Sequence, residues 1–482
     1  MRISGNLEKD LKLIKELLSS DDVIFTDVKA KDKKGALIFV ADIVDKAVIG
    51  QLIMKPLSKL QGNIDKETLK KNFLSPEIEL SSDIDDVLSK IVSGNAALII
   101  DGIDSAFCFG LKKYDKRAIA EPPTSTVIKG PREGFVESLQ VNVSLMRRKL
   151  QTPKLKFKYL SVGEYSNTSV ALCYIDGVAD KKVLSAVEKK IKTIKIDAVL
   201  DSSYVSKFLG EHKTSLFKQM GNTEKPDILA AKILEGRIAV LVDGSPIALT
   251  LPYLLVEDFQ SPSDYYSSSY SATISRGLRF IAVFISIFLP AFFVSAELFH
   301  LQLIPLSFLL TIVNSIKGIP LSPSYEMFFT LLIFEILNEA SVRMPRYVGM
   351  VVSIVGGLVL GETAVTAGII SAPALMIIAL SGICLYTVPE LEQTFSVIRL
   401  VFLIIGGSVG IYGLLLAAAA LIIYLVSFEN YGTPLMAPFS PLIPKDLKDG
   451  IYKGFMIEQS IRPLSLKNVN KRRIAKKGEN NG

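Results

Sequence analysis

The chain is poor in the residues most catalytic sites need. It has two histidines, His212 and His300, and three cysteines, Cys108, Cys173 and Cys384, in 482 residues. Two isolated histidines make both a histidine-based metal site and a Ser-His-Asp triad poor expectations. The scattered cysteines form neither a metal spacing nor a disulfide framework, which fits a reducing compartment. A Walker-type phosphate loop and a dinucleotide fingerprint are both missing. The expectation is therefore a protein that is not an enzyme, with no catalytic residue, no metal and no cofactor. Met1–Ser20 has no apolar core of signal length and reads as an amphipathic charged helix. The N-terminal half is expected to stay in the cytoplasm. Aspartate is absent from residues 278–427, where the only basic residues are Arg279, Lys317, Arg343, Arg346 and Arg399.

What is present is sharply partitioned. Residues 1–270 read as globular, with charges between short apolar runs. Residues 278–428 are apolar, and 429–482 form a polar, basic tail. The net charge is +7, but the clearest basic cluster, Lys471-Arg472-Arg473 with Lys476 and Lys477, lies behind the apolar block. A lipid-facing cytoplasmic tail is a simpler reading of it than nucleic-acid binding. The expected fold class is an α/β soluble N-terminal half of two related subdomains plus an α-helical multi-span transmembrane domain.

Within the soluble half, strand-length apolar runs alternate with helical stretches. Strands are expected at Ala36–Ala41, Ala96–Ile100, Ala106–Gly110, Val170–Ile175, Ile238–Val242 and Ile247–Leu251. Helices are expected at Leu7–Leu18, Ile84–Val92, Gly134–Leu150, Lys182–Ile191 and Lys225–Leu234. One stretch repeats: Gly94 to Asp101-Gly102 matches Gly236 to Asp243-Gly244, glycine, apolar strand and Asp-Gly at the same spacing. A second apolar run follows each, as an Asp-Gly hairpin requires. More loosely, Gly35–Val44 parallels Val170–Val178. The subdomains are placed at 1–125 and 134–258, joined by a proline-broken linker at 126–133. The Asp-Gly pairs read as turns, with an aspartate-based catalytic or metal role as the sharper alternative. Arg147-Arg148-Lys149 suits a helix C-terminus.

Residues 259–277 form a juxtamembrane linker whose tyrosines, with Arg276 and Arg279, suit an interfacial anchor. Leu278–Phe299 is long enough to cross a hydrocarbon core of about 30 Å. Leu301–Val313 is short and reads as re-entrant or surface-lying. Tyr325–Ala340 is a span, Tyr347–Leu360 and Ala364–Val388 give one or two more, and Phe395–Phe428 is one helix too long for a perpendicular crossing. Basic residues at both ends favour an even number of spans, and four is the expectation. Gly406, Gly410 and Gly413 recur down the last helix, and Gly357 and Gly361 form a GxxxG pair. Such stripes mark close helix packing; packing within the chain and between identical chains predict the same pattern.

Polar residues at membrane depth are candidates for function. Glu335, Glu339 and Arg343 fall on one helix face with Asn338 beside them, as an intramembrane polar stripe or a structural ion-pair ladder. Glu362, Thr363, Val365 and Thr366 follow the Gly356–Gly361 segment. Glycines flanking a carboxylate and hydroxyls suit irregular backbone at a pore or gate, and a carboxylate in a surface loop is the plainer alternative.

These residues resemble a family, the A subunits of GerA-type spore germinant receptors. The resemblance rests on Glu121-Pro122, Lys129-Gly130-Pro131-Arg132, Phe135, Glu137 and Asn142 through Arg147-Arg148. It continues with Thr223–Asp227, Glu235–Pro246, Ser261-Pro262 with Asp264-Tyr265-Tyr266, Arg343-Met344-Pro345, Gly356–Gly361 with Ala364-Val365, Thr387-Val388-Pro389 and Gly432-Thr433-Pro434. The resemblance implies spore germination, a multi-pass protein of the endospore inner membrane with its N-terminal half on the core side, and a homo-oligomer, a pentamer, that conducts ions. It also implies a transporter-like B subunit that senses the nutrient and a lipoprotein C subunit as partners, with membrane lipid around them and no nucleic acid. It places Gly357–Thr366 at or near the pore. Family members often carry glutamine where this chain has Glu362; a ring of five such carboxylates would favour cations. The function expected is the A subunit of a nutrient germinant receptor, acting as its ligand-gated cation channel component. The alternative is a transporter-type or regulatory membrane subunit for solute release during germination, but no inverted repeat of transporter type is visible in the membrane block.

Overall fold

The computed structural model describes residues 1–60, 65–73, 75, 77–113, 130–344, 361–455 and 459–473. The chain forms two compact units. An α/β unit holds Met1–Leu254, Asn430–Thr433 and the segment from Met456 on; a helical unit holds Leu255–Glu429 and Pro434–Phe455.

The α/β unit contains two five-stranded sheets. The first is built from β1 (Val23–Ala30), β2 (Lys33–Val40), β3 (Ile78–Ser81), β4 (Asn95–Ile100) and β5 (Ala106–Gly110). The second uses β6 (Leu155–Val162), β7 (Thr168–Ile175), β8 (Gly221–Thr223), β9 (Ile238–Val242) and β10 (Ala248–Leu251). Their orders are the same, β1-β2-β4-β5-β3 and β6-β7-β9-β10-β8, and the pairings between described strands are antiparallel. The register repeats as well: Gly35 faces Ile100 as Val170 faces Val242.

The central strands are continuous apolar runs because both faces of the sheet are covered. In the second sheet Val170, Leu172, Val240 and Val242 pack under helices Lys181–Lys192 and Ser202–Leu209. The alternate residues Ala171, Cys173, Ala239 and Leu241 pack under Leu139–Lys149 and Pro226–Leu234. That period-two division makes three layers. In the first sheet Ile38, Leu98 and Phe107 are fully buried, each side chain contributing roughly 1.5–3 kcal/mol.

The repeated Asp-Gly turns do the same work twice. Asp101 Oδ1 accepts from the Leu7 N–H at 3.2 Å, at the first residue of helix Leu7–Leu17, and the Gly102 N–H donates to Gly5 O at 2.8 Å. Asp243 Oδ1 accepts from the Leu139 N–H at 2.9 Å, at the first residue of helix Leu139–Lys149, and the Gly244 N–H donates to Glu137 O at 2.8 Å. Each aspartate closes a hairpin and satisfies a helix-end N–H that would otherwise lack a partner. Both glycines hold positive φ, 79° and 84°, which glycine adopts without a steric penalty.

The two halves are pinned by charge. Arg147 Nε and Nη2 donate to Asp22 Oδ2 and Oδ1 at 2.7 and 2.8 Å, and Nη2 also reaches Ser20 Oγ at 3.1 Å. Arg147 therefore leaves its helix end and crosses to the first subdomain, while Arg148 and Lys149 pair with Glu133. Beside it, the Asp21 N–H donates to Phe157 O at 3.0 Å. Burial, then the Asp22 carboxylate, push the Asp42 carboxyl above its ordinary value.

In the helical unit, helix Ser269–Phe299 packs against Pro323–Arg343, Ala372–Leu385 and Glu392–Val409. It and Pro389–Val409 are long and apolar enough to cross a membrane; Leu306–Ile316, Ala372–Leu385 and Ile411–Ser427 are apolar but shorter. Several expectations are corrected here. Half of the juxtamembrane linker, from Ser269, is already helix, because Ser268 caps it. The apolar stretch Phe395–Phe428 is two helices, broken at Gly410 with φ 76° and ψ −160°, a conformation in practice confined to glycine. The stretch Ala364–Val388 divides into Gly361–Thr366 and Ala372–Leu385, since Ser371 caps the second helix and Pro373 lies in its first turn. Within the basic tail, Asn430–Thr433 and the described residues 459–473 group with the α/β unit, and Pro434–Phe455 with the helical one. Tyr347–Leu360, with Gly357, and most of the linker at 126–133 lie outside the described residues.

Candidate functional site

The start of helix Ser269–Phe299 carries a buried ion cluster. Ser261 and Asp264 form a capping box around the short helix Pro262–Tyr266. Asp264 then receives Arg279 in a fork, Nη1 to Oδ2 at 2.7 Å and Nη2 to Oδ1 at 2.9 Å, and Arg276 Nε at 3.1 Å. Arg276 Nη1 continues to the Asp449 carbonyl at 2.7 Å and its Oδ1 at 3.0 Å. Arg276 is fully buried. The two arginines expected at a lipid interface are thus spent inside the protein, tying the segment around Asp449 to the helix. Burial alone would raise the Asp264 carboxyl, but the hydrogen bonds from Arg279, the Ser261 N–H and Arg276 outweigh it and hold the group below its ordinary value.

Further along, polar side chains gather at two levels of the bundle. At the first, the buried Arg399 on Glu392–Val409 donates through Nη2 to Glu335 Oε1 and through Nη1 to Ser381 Oγ at 2.8 Å. Ser381 Oγ donates on to Ser286 O at 2.9 Å. Four helices meet through one guanidinium. Asn338 Nδ2 adds a hydrogen bond to Glu392 Oε1 at 2.8 Å. At the second level Glu326, 2% exposed, accepts from the Ser371 N–H at 2.6 Å. Glu297 is 9% exposed, and its Oε1 is buried without a hydrogen-bond partner. Ser324 Oγ donates to Gly407 O at 3.0 Å beside them.

The predicted polar stripe is therefore divided. Glu335 and Asn338 turn to helix Glu392–Val409, whereas Glu339 and Arg343 form an exposed pair on the same helix turn. The pore candidates lie on the short helix Gly361–Thr366: Glu362, Thr363 and Thr366 are exposed, Val365 is half-buried, and Thr366 Oγ1 donates to Glu362 O at 2.7 Å. Gly361 is buried, with Leu375 3.2 Å from where a Cβ would stand.

The packing glycines have distinct surroundings. A Cβ on Gly406 would come within 2.6 Å of Ala291 O, on Gly410 within 3.1 Å of the Phe299 ring, and on Gly413 within 2.7 Å of Val409 Cβ. Gly406 is thus a contact between helices, Gly410 a helix break, and Gly413 sits against its own preceding turn. Sequence reasoning missed Arg399, Glu326 and Glu297. The signal was available: each is a charged residue on a helix of the apolar block.

Comparison with known proteins bears on the whole chain. It is 36% identical over 484 residues to spore germination protein KA of Bacillus subtilis, covering 98% of this chain and 89% of that protein. It is 34% identical to the uncharacterized membrane protein YfkQ of the same organism, over 98% of this chain and 94% of that one. The crystal structure of the N-terminal domain of the A subunit of the Bacillus megaterium spore germinant receptor GerK3 matches with a TM-score of 0.42 at 28% identity, over 53% of this chain and 98% of that one. The family model for the Bacillus/Clostridium GerA spore germination protein matches residues 11–465, so this chain belongs to the GerA family.

Proposed function

We propose that this chain is the A subunit of a nutrient germinant receptor, and that copies of it assemble, as a pentamer, around a cation pathway in the endospore inner membrane. One contrast within the helical unit carries the reading. Arg399, Glu335, Asn338 and Glu326 meet partners inside a single chain, whereas Glu362 and Thr366 stand exposed on a short helix anchored by the buried Gly361. An exposed carboxylate is costly against lipid and inexpensive against a water-filled passage shared between copies. Large exposed apolar side chains such as Phe284, Phe292, Leu415 and Leu416 supply surface for lipid and for neighbouring copies.

In this reading the helical unit contributes four spans and the α/β unit lies on the core side. Glu362, Thr363, Val365 and Thr366 line the passage. A transporter-like B subunit senses the nutrient, and a lipoprotein C subunit completes the receptor. The spore germination names of the relatives support the germination role.

The test is conductance. Reconstituted with both partners and given nutrient, the protein should pass monovalent cations. Glu362→Gln should change selectivity or germination rate while leaving protein level unchanged. No flux with every component present would remove the channel reading, and parallel loss of activity and protein would make Glu362 structural.

A further inference from the structure

Glu297 in the last turn of helix Ser269–Phe299 and Glu326 in the first turn of Pro323–Arg343 lie where these two packed helices meet. Val294 and Ser324 both border Gly407, at 3.3 and 2.6 Å from where its Cβ would stand. Val294, Met327, Ile370 and Leu403 belong to one apolar cluster around them. The Glu326 side chain is 2% exposed. One of its oxygens is used, by the Ser371 N–H at 2.6 Å. Glu297 Oε1 has no hydrogen-bond partner, and the residue is nine-tenths buried.

Among the described residues, no lysine or arginine pairs with either carboxylate. Arg399, on the adjoining helix, is eight residues from Gly407, about 12 Å along the axis, and is occupied by Glu335. Lys317, after helix Leu306–Ile316, is exposed. Ala372–Leu385 and Ile411–Ser427 carry no charged residue. The other titratable neighbours are His300, whose Nδ1 is buried without a partner, and Tyr412, whose ring lies 6.1 Å from that of His300. Two carboxylates in an apolar surrounding cannot both stay ionised unless something positive joins them.

We propose that Glu297 and Glu326 form a binding site for one monovalent cation, a proton or an alkali ion, inside the helical unit of a single chain. Two carboxylates suit a single positive charge; among the described residues no group of three or more His, Cys, Asp or Glu is arranged to hold a metal ion. The site differs in place from Glu362 and stands whether or not the chain conducts ions.

Thermal unfolding of the purified full chain in lipid nanodiscs tests it, using potassium, sodium or choline chloride at matched ionic strength, from acidic to alkaline pH. Glu297→Gln and Glu326→Gln keep the side-chain shape, and either serves if the other fails to accumulate. If an alkali ion is the occupant, the alkaline Tm is several degrees higher in potassium or sodium than in choline, and the variant loses that difference. If a proton is the occupant, the salts are equivalent, the wild-type Tm falls as pH rises, and the variant loses that fall. Wild type and variants responding identically to both salt and pH would overturn the site.

Discussion

Each unit buries arginine, and the two use it differently. In the α/β unit Arg147 is matched on every arm, by both Asp22 oxygens, by Ser20 Oγ and by the Thr152 carbonyl. In the helical unit Arg399 leaves Nε and Arg276 leaves Nη2 without a hydrogen-bond partner, although both residues are buried. The first arrangement is a closed joint between two copies of one fold. The second leaves a donor over on each guanidinium, as buried polar atoms of Asn95, Glu224 and Thr250 in the α/β unit are also left. The difference lies in these arginines: one closes a joint between subdomains, and the others keep an unused donor inside the helical unit.

The largest expected effect tests the closed joint. Arg147→Ala strands Asp22 in the interior and should cost about 3–5 kcal/mol, read by chemical denaturation of the detergent-solubilised chain. Replacing both partners with apolar residues should recover most of the loss. If the single variant costs under about 1 kcal/mol, the joint is no better than a surface pair.

A smaller effect is expected for Arg399. A double-mutant cycle with Arg399→Met and Glu335→Gln should give a coupling of roughly 1–3 kcal/mol, because Glu335 stays partly exposed. Zero coupling would mean that Ser381 and the helix packing, not the ion pair, hold that level of the bundle.

The duplication itself can be measured. Asp101→Ala and Asp243→Ala each remove a carboxylate that accepts from the first N–H of a helix, so each should cost about 1 kcal/mol, the usual range for a lost cap. Similar losses at the two sites would confirm equivalent roles, and a cost at one site only would break the equivalence. The smallest effect is a pH dependence. Asp264 is held below its ordinary value, so its contribution is complete above the unfolded aspartate value of about 3.9 and is lost as pH falls through the folded one. The Tm should be flat from neutral pH down to about 5 on that account, with an acid decline that Asp264→Asn lacks.

Much of the α/β unit was legible in its amino acids. All six strands expected from apolar runs exist: β2, β4, β5, β7, β9 and β10. The four that escaped, β1, β3, β6 and β8, are the edge strands of the two sheets. An edge strand has a neighbour on one side only and carries charges such as Asp27 and Lys29 or Lys156 and Lys158, so it lacks the apolar run that marks a covered strand. The motifs behind the family resemblance also took on physical roles. Asn142 brackets Val136 with two hydrogen bonds, Lys225 Nζ reaches Pro131 O at 2.8 Å, and Arg237 holds Pro252 O at 3.1 Å. Each of these contacts pins the backbone.

The helical unit was less legible because its decisive choices are local or long-range. A run from Phe395 to Phe428 reads as one helix by hydropathy; the break depends on the φ of the single residue Gly410. Glu335, Glu339 and Arg343 share a face by spacing, yet their partners depend on which helix comes alongside, and only Glu335 finds Arg399.

The sequence by itself determined the partition into a globular half and an apolar block, the duplication and the covered strands, because apolar periodicity and glycine-marked turns are local properties. Only the tertiary structure decided which charges meet: Arg147 with Asp22, Arg276 with Asp264 and Asp449, and Arg399 with Glu335. Those pairs join residues that the chain separates by as many as 173 positions. Their energies come from exclusion of water, which exists only once the helices and sheets have closed around them.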